Sequence, residues 1–229
     1  MLVSSAARGV LFFDLDGTLT DPREGIVGCI RHALQRLGCE VPPDAELERC
    51  IGPPLRESFC RLASDGLADA AVEHYRERFR ASGMFENSVY PGVPEALTAL
   101  CAAGWQLLVV TSKPGVFAEQ ILRHFDLARY FSAIYGSELS GVRSDKGELI
   151  AYVLATERIA SEHALMIGDR SHDIVGARKN GLRAAGVLWG YGTREELAGA
   201  GADRLYATVS VLVEDLAALS AASPDRASF

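Results

Sequence analysis

The sequence predicts an α/β protein: a Rossmann-like parallel sheet core with a small inserted α-helical domain. Three observations predict it. Short apolar runs end repeatedly at polar or glycine residues, helix-like stretches alternate with them, and one long segment, Pro22 to Tyr90, holds no convincing strand.

The apolar runs are GVLFF before Asp14, QLLVV before Thr111, AIYG at 133–136, HALMIG before Asp169 and AAGVLW at 184–189. Their length, β-branching and flanking glycines favour buried strands over helices. Between them, Pro94 to Ala103 carries a proline where a helix tolerates it, at its start. Val116 to Phe125 sets Val116, Ile121, Leu122 and Phe125 near one face, and Glu148 to Ala155 does the same with Leu149, Ile150, Val153 and Leu154. Thr193 followed by Glu196 reads as a capping box. Strand and helix in alternation imply a mostly parallel sheet covered on both faces.

Pro22 to Tyr90 is far too long for a structureless loop in a compact domain. It contains amphipathic stretches instead: Glu24 to Leu37, Leu67 to Phe79, and shorter helical pieces around Gly52-Pro53-Pro54. The expected division is therefore a core from 1–21 and 91–229, with a helical domain from 22–90. Ser220 to Phe229, small and polar with one proline, is expected to form a loose tail.

Composition narrows the function. With 48% apolar and 23% charged residues in 229, the chain has the makings of a sizeable core. Its net charge is −7 and no basic stripe is visible, which argues against a nucleic-acid polymer as partner. A small anionic substrate stays compatible, because a pocket can be positive inside a negative protein. The five cysteines (Cys29, Cys39, Cys50, Cys60, Cys101) are odd in number and form no C-x-x-C pair, so neither a zinc site nor a disulfide framework is expected. The first apolar run, Val10 to Phe13, is too short for a signal-peptide core or a membrane span. A cytoplasmic protein with no membrane partner is expected, acting as a monomer or homodimer.

The chemistry gathers at strand ends. Ligands of open parallel sheets collect beyond the carboxyl ends of the strands. Asp14 and Asp16 leave the first strand on one side, since side chains repeat every two residues. Two carboxylates that close repel each other, and a hard divalent cation relieves this; oxygen-only ligands suit magnesium. Gly17 lets the backbone turn tightly there. Asp169 ends another buried strand, and Asp173 follows four residues on, at a helix start that tolerates acidic groups. Four aspartates at two strand tips look like one Mg2+ site. Thr111 and Ser112 at a third tip, and Lys146 opening a helix after Ser144-Asp145, add hydroxyl and cationic donors for a phosphate. Together these are the parts of phosphoryl transfer through an aspartyl-phosphate.

DLDGT at 14–18, Thr111 after its strand, Lys146, and GDRSHD at 168–173 resemble the four ordered motifs of haloacid dehalogenase-like (HAD) phosphatases. The insert after the first motif resembles the cap domain of one subgroup. The resemblance implies that Asp14 attacks phosphorus and that Asp16 serves as acid and then base. It implies magnesium held by the Asp14 carboxylate, the Asp16 carbonyl and Asp169, with Asp173 close or through water. Thr111, Ser112 and Lys146 would hold the phosphoryl oxygens. IGPPL at 51–55, FENSVYPG at 85–92, TSKP at 111–114, MIGDRSHDIVGA at 166–177 and GVLWGYGTREEL at 186–197 are similar to a 5′-nucleotidase-like subgroup, with phosphoglycolate phosphatases as near relatives.

Plainer readings apply to other residues. Lys113 and Lys179 are read as surface or rim residues, Arg56 as a solvated helix arginine, and His172 as exposed or outside the reacting groups. The cysteines are read as small core or surface residues. Among related chemistries, Asp16 argues against a dehalogenase. A phosphonate hydrolase needs a cap lysine, and the insert contains none. A sugar phosphomutase, or a non-catalytic binding or regulatory protein on this scaffold, remains as an alternative to hydrolysis of a small phosphate ester.

Overall fold

The structure is a computed structural model that describes residues 9–222. The chain divides into two compact units, Met1–Leu19 with Tyr90–Phe229, and Thr20–Val89. Residues 1–8 and 223–229 lie outside the described residues.

Along the chain, β1 (Val10–Phe13) is followed by a short antiparallel ribbon, β2 (Thr20–Asp21) with β3 (Ser88–Val89), at the two ends of the second unit. Strands β4 (Gln106–Pro114), β5 (Ala133–Ser137), β6 (Ala164–Gly168), β7 (Arg183–Val187) and β8 (Arg204–Tyr206) then complete one six-stranded sheet. Its order is β5-β4-β1-β6-β7-β8, with every pairing parallel. All residues of β1 and β6 are buried, as expected where helices cover both faces. Strand β3, inside Pro22 to Tyr90, corrects the expectation of a strand-free segment there. Two residues per strand are too few to display any alternation.

In the second unit lie α1 (Arg23–Arg36), α2 (Asp44–Leu47), α3 (Leu55–Leu62) and α4 (Asp65–Arg78). Helix α1 buries Ile26, Val27, Ile30, Ala33 and Leu34 along one side, the face its periodicity predicts. Arg56 is exposed and paired with Asp65 and Asp69, at 3.2 and 2.8 Å, so its surface reading stands.

The first unit carries α5 (Val93–Ala102), α6 (Gly115–His124), α7 (Lys146–Glu157), α8 (Ser171–Lys179), α9 (Arg194–Gly199) and α10 (Val209–Ala222). Its core gathers Phe12, Leu108, Val110 and Met166 from the sheet with Leu149, Ile150, Val153 and Ile174 from α7 and α8. Helix α10 reaches Ala222, so the expected tail does not begin at Ser220; the rest of that stretch, 223–229, lies outside the described residues. All five cysteines are free thiols.

Strand β1 lies between β4 and β6, which lead to opposite halves of the sheet. That reversal opens a crevice at the carboxyl ends of the strands. The register sets Phe13 level with Val109 and with Ile167, so Asp14, Thr111 and Asp169 all emerge within two residues of one edge.

Candidate active site

Each acidic group is placed by a short local device. Asp14 follows β1 directly, and its N–H donates to the Ile167 carbonyl (2.9 Å), which continues the ladder by one residue. Gly17 has φ +80, a left-handed conformation open to glycine; a Cβ there would stand 2.1 Å from Asp169 Oδ2. Gly190 is equally cramped, since its Cβ would meet the Gly17 carbonyl at 2.3 Å and Asp169 Cβ at 2.4 Å. Asp169 sits in this glycine cradle, with Oδ2 accepting from Tyr191 N (2.8 Å) and Oδ1 facing the Thr18 hydroxyl (3.4 Å). Asp173, in the first turn of α8, caps its own helix: Oδ2 accepts from Arg170 N at 3.1 Å.

Lys146 is the first residue of α7, whose start is fixed by Asp145 accepting from Glu148 N (2.9 Å). Gly176 permits the helix contact that threads this lysine inward, as a Cβ there would lie 3.0 Å from Lys146 Cγ. The Lys146 ammonium is buried; it donates to Asp14 Oδ1 at 2.9 Å and to the Val110 carbonyl at 3.0 Å, and forms an ion pair with Asp173 Oδ1 at 2.7 Å. Burial alone would lower its pKa, but the charges of Asp14 and Asp173 push it up to about 12.

The predicted residues Asp14, Asp16, Thr111, Lys146, Asp169 and Asp173 are all buried in this unit. Thr111 hydrogen-bonds Asp14 and helps hold its carboxylate ionised. Ser112 enters through its backbone, its carbonyl accepting from Ser137 Oγ at 2.8 Å. Among the described residues its side chain makes no hydrogen bond with the aspartates.

One residue differs from the sequence reading. Lys113, expected at the surface or rim, is half-buried, and its side chain, 7% exposed, pairs with Asp16 Oδ2 at 2.6 Å. Side chains repeat every two residues along a strand, so Lys113 shares the side of Thr111, and β4 shifts register between Thr111 and Pro114. The position of TSKP beside the strand tip was the available signal. His172 is half-buried, and one ring nitrogen lies within 4.8 Å of carboxylate oxygens of Asp14 and Asp173. Thr193 Oγ1 accepts from Glu196 N (3.1 Å), half of the expected capping box. The Glu196 carboxylate does not return the bond; it accepts from Ser171 N (2.8 Å) and Arg170 Nε (3.0 Å), bracing the turn between Asp169 and Asp173.

The electrostatics separate the first two aspartates. Burial raises the pKa of Asp14, but the Lys146 ammonium, His172 and Thr111 together outweigh it and hold the carboxyl below its usual range. Burial wins at Asp16, whose pKa is raised despite Lys113. Asp169 is raised well above the ordinary value, by burial and by the charges of Asp173 and Asp14. A pair of carboxyls pushed apart in this way suits one nucleophile and one acid.

A divalent cation fits these residues. Four buried carboxyl groups meet two ammonium groups, an excess of acidic groups that a divalent cation would offset. Asp16 Oδ1 is buried and, among the described residues, has no hydrogen-bond partner. Asp14, Asp16 and Asp169 offer the oxygen donors that Mg2+ prefers.

The sequence profile of haloacid dehalogenase-like hydrolases matches residues 11–187. A 5′-nucleotidase of Pseudomonas aeruginosa is 54% identical over 189 residues, 82% of this chain and 86% of that protein. The tyrosine-protein kinase PtkA of Mycobacterium tuberculosis is 40% identical over 183 residues, 80% of this chain and 63% of that one; a phosphoglycolate phosphatase of Aquifex aeolicus is 30% identical over 182 residues, 80% and 85%. Among solved structures, a predicted phosphatase from Clostridium acetobutylicum superposes with a TM-score of 0.88 at 43% identity, covering 92% of this chain and 99% of that one. The chain belongs to the haloacid dehalogenase-like hydrolases, and within them to the phosphoric monoester hydrolases.

Proposed function

We propose that this phosphatase is Mg2+-dependent, forms an aspartyl-phosphate on Asp14, and prefers nucleoside 5′-monophosphates. The observation that carries the substrate class is the 54% identity to a 5′-nucleotidase across 82% of the chain. The separation of Asp14 and Asp16 into an ionised and a protonation-prone carboxyl supports the mechanism.

In this reading an Asp14 oxygen attacks phosphorus and the P–O bond of the ester breaks. The departing oxygen takes a proton from Asp16. Asp16, now a carboxylate, removes a proton from water, whose oxygen attacks the same phosphorus; the bond to Asp14 breaks and inorganic phosphate leaves. Thr111 and Lys146 orient and neutralise the phosphoryl oxygens. Asp14, Asp169 and the Asp16 carbonyl would hold Mg2+, with Asp173 close by. Bound there, the ion supplies charge neutralisation and Lewis acidity toward the phosphoryl oxygens. The inserted helical unit is read as the cap that selects the ester. Its free cysteines are consistent with the cytoplasm, and no helix among the described residues is long and apolar enough to cross a membrane.

Phosphoglycolate phosphatase is the second reading, favoured by the relative of that name. The test is phosphate release from nucleoside 5′-monophosphates, 2-phosphoglycolate and sugar phosphates, with Mg2+ and with chelator. Chelator-sensitive release led by nucleotides is expected. Release led by phosphoglycolate overturns the substrate class, and release indifferent to chelator overturns the metal. ATP with a tyrosine-containing peptide is expected to yield no phosphotyrosine.

A further inference from the structure

His172 stands one residue before Asp173 in α8 and has no part in the mechanism above. Its Nε2 is buried, yet among the described residues no hydrogen-bond partner reaches it. A buried polar nitrogen without a partner is costly, and it calls for an explanation such as a group absent from the resting protein. The ring lies beside the nucleophile, with one nitrogen within 4.8 Å of oxygens of Asp14 and Asp173. Lys146 donates to Asp14 Oδ1 and forms an ion pair with Asp173 Oδ1, and Arg170 N donates to Asp173 Oδ2.

We propose that His172 is a further catalytic residue, its Nε2–H donating to a non-bridging oxygen of the phosphoryl group on Asp14. This rests on the assignment of Asp14 as the nucleophile. The sign of the local charge selects a phosphoryl oxygen over a second cation. The Lys146 ammonium bridges Asp14 and Asp173, so a cation held by Asp14, His172 and Asp173 would face that positive charge. An anionic phosphoryl oxygen is attracted by the same ammonium, and a charge-assisted bond from the imidazole completes its shell.

The test is calorimetric titration of inorganic phosphate into the Mg2+-loaded wild type, His172→Ala, His172→Phe and His172→Gln. Mn2+ affinity is measured separately by electron paramagnetic resonance, and thermal melting identifies any variant that fails to fold. Loss of one bond to a charged group predicts phosphate affinity weakened roughly tenfold in the alanine and phenylalanine variants. The amide of His172→Gln should recover part of it, with Mn2+ affinity unchanged throughout. Wild-type phosphate affinity in both donor-free variants overturns the proposal. So does a parallel fall in Mn2+ affinity, which would make the ring a cation ligand. A wild type that neither binds phosphate nor hydrolyses esters defeats the proposed function itself, a result distinct from wild-type binding that the variants share.

Discussion

Lys146 Nζ lies 2.9 Å from Asp14 Oδ1, and both groups are buried. The same ammonium reaches Asp173, so one cation holds a residue from the β1 tip and another from α8. Removing it leaves two buried carboxylates without their counter-charge. Lys146→Met is therefore expected to destabilise the apo protein by about 3–5 kcal/mol. Urea denaturation in chelator measures this; an unchanged midpoint would mean the carboxylates are compensated from elsewhere.

Asp14 and Asp16 should respond differently to loss of charge. Asp14→Asn removes the attacking oxygen's charge and should abolish turnover. Asp16→Asn removes the proton donor and should slow turnover by about 10²–10⁴-fold, the range of general acid–base catalysis. Steady-state rates on the best ester decide it. Appreciable turnover in Asp14→Asn removes the nucleophile assignment.

Lys113 lowers the pKa of Asp16 against the larger effect of burial. Lys113→Met should raise the Asp16 pKa further, so the protonated acid persists to higher pH. The limb of the kcat profile governed by Asp16 is expected to move toward alkaline pH. A limb that stays in place, or moves toward acid, contradicts the pairing seen at 2.6 Å.

Gly190 has no room for a methyl group between the Gly17 carbonyl and Asp169. Gly190→Ala should displace Asp169 and weaken Mn2+ binding, and overpacking should cost about 1–3 kcal/mol. Metal titration and thermal melting read the two effects separately. Wild-type metal affinity would show that the cradle yields without moving the carboxylate.

Glu196 braces the loop that carries Asp169 and Asp173. Burial raises its pKa, but the Ser171 N–H and the Arg170 guanidinium outweigh it and leave the carboxyl below its ordinary value. A carboxylate depressed on folding stabilises above its unfolded pKa and loses that contribution as pH falls through its folded pKa. Glu196→Gln should melt earlier than wild type at neutral pH, with the gap narrowing as the pH drops below the usual carboxylate range. A gap that is constant across pH would assign the effect to shape and not to charge.

Much of the fold was legible because it is local. The runs GVLFF, QLLVV and HALMIG announce buried strands by their own composition, and β1, β4 and β6 follow them. β2, β3 and β8 were not legible, because strands of two or three residues carry no periodicity. Asp14, Lys146 and Asp169 could be placed at element ends from the sequence, since the end of a strand or the cap of a helix is written in neighbouring residues; Thr111, expected at a strand tip, lies inside β4, which runs on to Pro114.

What the sequence by itself determined is thus the alternating α/β framework and the edge where its acidic groups emerge. Tertiary structure alone decided the partners: Lys113 on Asp16, Glu196 on Ser171 in place of its own cap, and Gly190 against Asp169. It also brought His172 beside Asp14. Local propensity depends on residues a few positions apart, whereas these contacts join groups distant in sequence. They arise only when parallel strands and packed helices bring their ends to one place.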